Sequence, residues 1–309
     1  CVYAPNTFIF MCLRALQAIA ACTFVVARAI VRDTTETQAS GSKIAYISMG
    51  TAICPMFGPA LGGLMDGWFG WEANFWFIGG LGLFILIIAY FDLGETVPEN
   101  TQGFRQQFSE YPELLLSRRF WGYCLASAFG AGAFFAYLGG GPFVGSIVYN
   151  LSPEMLGLYF GAPAIGYFFG NFLSGRFTIR FGIDAMILWG LWIIFSGLSL
   201  SMVCSYVGYG TVETFFGFMI FVGLGNGLTI PNATAGMLSV RPHLAGTASG
   251  LGGAMMIAIG AALSTLAGAF LVPGSNEMPL LMLMWFSSLS GVAVIIYVRQ
   301  RNKRLKKSF

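Results

Sequence analysis

Apolar residues run along this chain in long unbroken blocks, and polar residues gather between them. About 20 apolar residues cross ~30 Å of hydrocarbon as a helix, the form that satisfies its own backbone without water. Nine blocks meet that length and predict membrane helices at Thr7–Ala27, Ile44–Leu64, Ala73–Phe91, Trp121–Phe143, Met155–Leu173, Ala185–Tyr206, Thr214–Ser239, Ala245–Leu271 and Pro279–Val298. The predicted fold is therefore all-α, a polytopic membrane helical bundle.

The blocks are unevenly grouped. One long polar stretch, 92–120, holds Glu95, Pro98, Glu99, Arg105, Glu110, Pro112 and Glu113, and it separates three spans from six. Six spans behind a long linker match one half of a membrane protein built from two six-helix repeats about an axis along the membrane normal. The expected organisation is 1–93 as three spans of a first bundle, 94–120 as linker, 121–298 as a second bundle of six helices, and 299–309 as a basic tail. The chain opens at Cys1 and not at a methionine, and it enters its first span after six residues. It is expected to be a piece of a longer protein whose first bundle has three more helices.

Composition narrows the class further. With 56% hydrophobic residues, only 9% charged and a mean hydropathy of +0.73, the chain is far from a soluble domain, where about a quarter of residues are charged. It is equally far from disordered chains, which lack apolar content. The charge that remains is sorted by position. Arg28, Arg32, Lys43, Arg105, Arg118, Arg119, Arg176, Arg180, Arg241 and six residues of the tail fall in alternate connections or at their edges, whereas 65–72, 144–154, 207–213 and 272–278 hold acids but no Lys or Arg. Basic loops stay on the cytoplasmic side, so residues before Thr7 are expected outside and the C-terminus inside. The net charge of +3 needs no nucleic-acid partner, and the Arg299–Lys307 run is expected beside anionic membrane lipid.

One basic residue escapes this sorting. Arg14 lies within the first span, and Gln17 follows on nearly the same helical face. A charge inside a span costs at least ~2.5 kcal/mol by insertion scales and usually faces a cavity or a partner. Arg14 thus marks a polar, water-accessible site, or else snorkels some ~10 Å to the outer surface. The second span carries Gly50, Cys54, Gly58 and Gly62 four apart, Pro55 and Pro59 four apart, and Gly63 at the end. Small residues at that spacing admit a second helix backbone to backbone, and prolines bend the helix.

These strings resemble those of a known family. Arg14-Ala15-Leu16-Gln17-Ala18 is similar to the fourth-helix motif of the major facilitator superfamily, and Gly58-Pro59-Ala60-Leu61-Gly62-Gly63 to its fifth-helix antiporter motif. Gly67-Trp68-Phe69-Gly70-Trp71, Arg28 through Asp33, Asn226 through Thr234 and Ala245 through Ser249 resemble the bicyclomycin- and chloramphenicol-resistance (Bcr/CflA-like) subfamily of drug:proton antiporters. Ala18, Ala45 and Cys54 stand where that pattern usually has glycine, and all remain small. Gly175-Arg176 with Arg180-Phe181-Gly182 is similar to a degenerate loop motif of the second half, and its arginines also serve as positive-inside anchors.

The resemblance implies a major facilitator fold over helices four to twelve. It implies proton-coupled export of small hydrophobic or amphiphilic compounds by a monomer in a bacterial inner membrane, with the proton gradient as energy source and no cofactor. Arg14 and Gln17 would take part in proton coupling, with their acidic partner in the missing helices. The glycine and proline face at Gly50, Cys54, Gly58, Pro59, Gly62 and Gly63 would pack between the halves. A carrier for a single metabolite, and a non-transporting receptor or assembly protein, are the alternatives.

Further intramembrane polar residues are Asn171, Asn226 and Asn232, which either line a substrate cavity or bond across helices. Tyr123 and Tyr137, with Phe134, Phe135, Met255 and Met256, offer an adaptable surface for apolar compounds or fill the core. The six cysteines show no metal-ligand spacing and read as packing residues, and His243 as a solvated loop residue. No nucleophile–base pair, phosphate loop or metal cluster is found, so no enzymatic role is expected.

Overall fold

The computed structural model describes residues 1–21, 23, 58, 61–94, 112, 114–241 and 244–307, and all regular structure among them is helical. The chain forms two compact units, Cys1–Gln102 and Gly103–Phe309.

In the first unit, helix α1 (Thr7–Gln17) starts where the Asn6 side chain accepts the backbone N–H of Ile9 at 2.9 Å, which caps one of the donors a helix start leaves free. It tightens into a 3₁₀ turn at Ala18–Ala21. A helical stretch over 61–69 reverses at Gly70, whose φ of +84° suits a residue without a β-carbon, and α2 (Glu72–Asp92) follows. No residue of α2 is buried and it is apolar on every side, as a helix in hydrocarbon must be. It departs from the predicted Ala73–Phe91 by one residue at each end. The predicted spans Thr7–Ala27 and Ile44–Leu64 lie partly outside the described residues.

The second unit contains α3 (Arg118–Phe143), a π-helical turn (Val144–Val148), α4 (Pro153–Phe160), α5 (Ala162–Phe181), α6 (Ile183–Tyr206), α7 (Val212–Val240), α8 (Ala245–Phe270) and α9 (Met278–Lys307). Ser117, Ser152 and the reciprocal pair Thr211 and Thr214 cap α3, α4 and α7. Six helices among the described residues are long and apolar enough to span a membrane, α2 and five in this unit.

Two predicted spans need correction. The single span expected over Met155–Leu173 is two helices that meet at Gly161, because Pro163 has no N–H to continue the ladder and Ala164 bonds instead to the Gly161 carbonyl at 3.0 Å. The second of these runs on to Phe181, where Gly182 at φ +81° ends it. The last span does not stop at Val298 either, since α9 stays helical through Lys307. Hydropathy marks where apolar sequence ends, and the hydrogen-bond ladder has no reason to stop there.

Helix α7 sits at the centre of this unit, against α5, α6 and α3, while α3 also packs on α8 and α9. Phe120, Tyr123, Tyr137, Ile187, Leu191, Ile194, Leu198, Phe216 and Met219 are buried there. In lipid, helices gain nothing by hiding apolar surface from an equally apolar solvent, so close packing must hold them. The α5–α7 contact shows how. Gly166, Gly170, Ser174 and Thr178 repeat every four residues along α5; the two glycines lie against residues 220–227 of α7, and Ser174 and Thr178 against Asn232. A β-carbon at Gly166 would fall on the Ile220 carbonyl oxygen, and one at Gly223 on that of Pro163.

Candidate functional site

In the first unit, one turn of α1 separates Arg14 from Gln17, and their side chains meet. The Arg14 Nη1 donates to Gln17 Oε1 at 2.6 Å, and the guanidinium lies 5.8 Å from the centre of the Phe75 ring on α2. Phe75 is itself flanked by Phe10 and Trp71 at ring distances of 6.1 and 5.7 Å. The charge is thus fixed by an amide oxygen and an aromatic face, and no carboxylate pairs with it among the described residues. Of the small-residue face, Gly62 is tied down: Asn74 on α2 donates to its carbonyl at 3.2 Å. Gly58 is exposed and open, Gly63 is half-buried, and Gly50, Cys54 and Pro59 lie outside the described residues.

In the second unit, polar side chains cluster along the α5–α7 seam. Asn232 donates to the Ser174 hydroxyl and to the Leu228 carbonyl, both at 2.7 Å, and accepts from Thr178 Oγ1 at 2.9 Å. Two of these bonds join α7 to α5, at about 0.6 kcal/mol each in a membrane, and the third, to Leu228, stays within α7. Asn171 bonds within its own helix, to the Tyr167 carbonyl at 2.8 Å. Asn226 differs from both. It is 3% exposed, yet neither its amide nitrogen nor its oxygen has a partner, and the Thr229 hydroxyl one turn on is likewise buried and unpaired. Both face glycines of neighbouring helices, Gly130 of α3 and Gly190 of α6.

The two tyrosines take different positions. Tyr137 is fully buried, stacked on Phe160 at 4.6 Å, and donates to the Phe160 carbonyl at 3.1 Å. Tyr123 sits at the end of the bundle where the basic residues collect. Its hydroxyl donates to Asp184 Oδ1 at 2.7 Å, and Asn302 donates to Asp184 Oδ2 at 2.9 Å and to the tyrosine oxygen at 3.1 Å. Three helix ends, those of α3, α6 and α9, are thereby clamped to one carboxylate.

The opposite end carries acids. Ser205 donates to the buried Glu277. Burial, followed by the negative charge of Glu277, pushes the Tyr149 phenol well above its ordinary range. Glu154 is held below the usual carboxylate range, first by the Ser152 hydroxyl.

Several of these residues escape a search for charged or amide side chains within apolar runs. Ser174, Thr178 and Thr229 are small and common, and Asp184 and Asn302 fall outside the predicted spans. Gly166 and Gly170 carry the same spacing of four that distinguishes the second span, and the same criterion applied to residues 166–178 finds them. Cys1, Cys12, Cys124 and Cys204 are free thiols, and no cluster of metal-binding side chains occurs among the described residues.

A family model described as Major Facilitator Superfamily matches residues 1–265. A "Bicyclomycin resistance protein homolog" of Haemophilus influenzae is 27% identical over 305 residues, covering 95% of this chain and 74% of that protein. A "Chloramphenicol resistance protein" of Pseudomonas aeruginosa is 31% identical over 265 residues, covering 82% of this chain and 61% of that protein. Among solved structures, a bacterial homologue of the human lysosomal transporter Spinster, in an inward-facing and occupied conformation, aligns with a TM-score of 0.57. Its sequence identity is 19%, and the match covers 88% of this chain and 70% of that one.

Proposed function

Because the chain belongs to the major facilitator superfamily, whose members are membrane transporters, we propose that it exports drug-like hydrophobic or amphiphilic compounds in exchange for protons. The observation that carries this reading is the Arg14–Gln17 pair, a guanidinium placed on α1 against an amide and an aromatic ring, without a carboxylate among the described residues. A guanidinium so placed attracts an ionised acid and releases it once that acid takes up a proton. Protonation then becomes a bias between two states of the carrier, provided the pair exists in only one of them. The names of the relatives from Haemophilus influenzae and Pseudomonas aeruginosa point to antibiotics as substrates. The sorted charges support a multi-pass protein of a bacterial inner membrane with its C-terminus in the cytoplasm.

Everted vesicles carrying the protein test this. With a proton gradient imposed, addition of bicyclomycin or chloramphenicol should release protons and load the vesicles with drug. Arg14→Ala should abolish both signals, while Arg14→Lys, which keeps the charge but loses the planar fork, should keep a reduced fraction. Drug accumulation that survives collapse of the gradient, or an unaltered Arg14→Ala variant at equal membrane abundance, would rule the reading out.

A further inference from the structure

We propose that a groove between α3 and α9, at the end of the bundle where the basic residues collect, binds one anionic phospholipid. The groove has a volume of about 430 Å³. Trp121 and Leu125 of α3 and Ala293 and Val294 of α9 form its apolar walls. Its floor is shallow because Gly122 has no side chain and lets Val298 come close. Apolar walls of this kind take an acyl chain lying along the helices.

The mouth of the groove is chemically different. Arg118 and Tyr297 border it, and Arg301, one turn beyond Tyr297, donates to the tyrosine hydroxyl at 3.4 Å. The positive charges of Arg301 and Arg118 both act on that hydroxyl. Neither arginine is paired with a carboxylate among the described residues, and the Arg301 Nε is buried with no partner at all. Asp184, at the same end of the bundle, has both its oxygens engaged by Tyr123 and Asn302. Arg118 is also the first residue of a 26-residue helix, so the positive end of that helix lies at the mouth as well. Trp121 donates its indole N–H to the Leu115 carbonyl at 2.7 Å, which fixes the ring as one wall. Two arginines and a phenol above an apolar slot complement a phosphate headgroup above an acyl chain. A zwitterionic lipid would bring its own cation to the same place, so the charge selects an anionic one.

Trp121 supplies the probe. The purified protein would be placed in phosphatidylcholine nanodiscs containing a small fraction of phosphatidylglycerol, with bromine on the acyl chains of one lipid or the other. The fluorescence lost between the parent and Trp121→Phe isolates the signal of the groove. Brominated phosphatidylglycerol should quench that signal more than its share of the lipid predicts, by roughly fivefold for each arginine that reaches the headgroup. Arg118→Gln combined with Arg301→Gln should bring the preference down to bulk composition, and Arg118→Lys with Arg301→Lys should retain most of it. Quenching in simple proportion to lipid composition in the parent protein would overturn the proposal, as would a preference that persists in the double Gln variant with an unchanged melting temperature. Competition is a second readout that needs no variant: unbrominated phosphatidylglycerol should relieve the quenching and phosphatidylcholine should not, and equal relief by both would overturn the site.

Discussion

At the scale of single residues, the informative contrast is between two asparagines six positions apart on α7. Asn232 bonds through both ends of its amide to α5 and to its own helix, and Asn226 bonds to nothing. A buried polar group without a partner costs about 1–3 kcal/mol, and in hydrocarbon no bulk water relieves it. Asn226→Leu keeps the branching and the heavy-atom count of the side chain and removes two unpaired groups, so the variant should melt higher than the parent, with a gain in stability of up to roughly that size. Asn232→Leu should melt lower, since it removes the two bonds that tie α7 to Ser174 and Thr178 of α5. If the Asn226 amide serves another state of the transport cycle, the stabilised variant should also export more slowly. Thermal unfolding of both variants in one detergent, with vesicle export measured alongside, checks the prediction. A destabilised Asn226→Leu would mean that the amide has partners after all. The sequence showed that both residues were polar and intramembrane, but not which one was satisfied. That depends on what α5, α3 and α6 bring opposite each, and no pattern within α7 encodes it.

Among the helical elements, those most legible in the sequence were the ones whose ends coincide with changes in polarity. Helices α2, α6, α7 and α8 agree with the predicted spans to within two residues, because charged or turn-forming residues flank their apolar blocks. The failures are physical. Gly161 and Pro163 interrupt a helix that hydropathy reads as continuous, and α9 outlasts its apolar block because Arg, Lys and Gln are good helix formers in any solvent. Small residues spaced by four are the pattern expected to admit a close neighbour in the second span, most of which lies outside the described residues, and the same code governs α5 against α7. A side chain at that contact has no place to go. Gly223→Val, and independently Gly166→Val, should force α5 from α7 and cost at least the ~1–3 kcal/mol typical of overpacking. Gly175→Ala, where a β-carbon would meet nothing within 4 Å, should be neutral. Size-exclusion profiles and melting temperatures of the three variants separate a packing code from general intolerance of substitution on α5, which would damage Gly175→Ala equally.

Across the whole molecule, the distribution of charge along the sequence is a constraint that every basic residue but Arg14 obeys. The Tyr123, Asp184 and Asn302 clamp gathers the start of α3, the start of α6 and the last turns of α9 at one end of the second unit. Arg118, Arg119, Arg299 and Arg301 sit on those same helices, whereas Glu277 and Ser205 meet at the far end. The bundle is therefore polarised along its axis, with an end rich in cations and an end that holds only acids. A membrane reads such polarity during insertion, when basic loops are retained on the cytoplasmic side. A green fluorescent reporter joined after Phe309 should be bright, and alkaline phosphatase at the same place inactive. Joined after Gly208 or after Gly274, each in a turn of the acidic end, the two reporters should exchange behaviour. An active phosphatase at Phe309 would invert the bundle. It would also place the arginines of the α3–α9 groove in the outer leaflet, where the lipid they meet would have to be a different one.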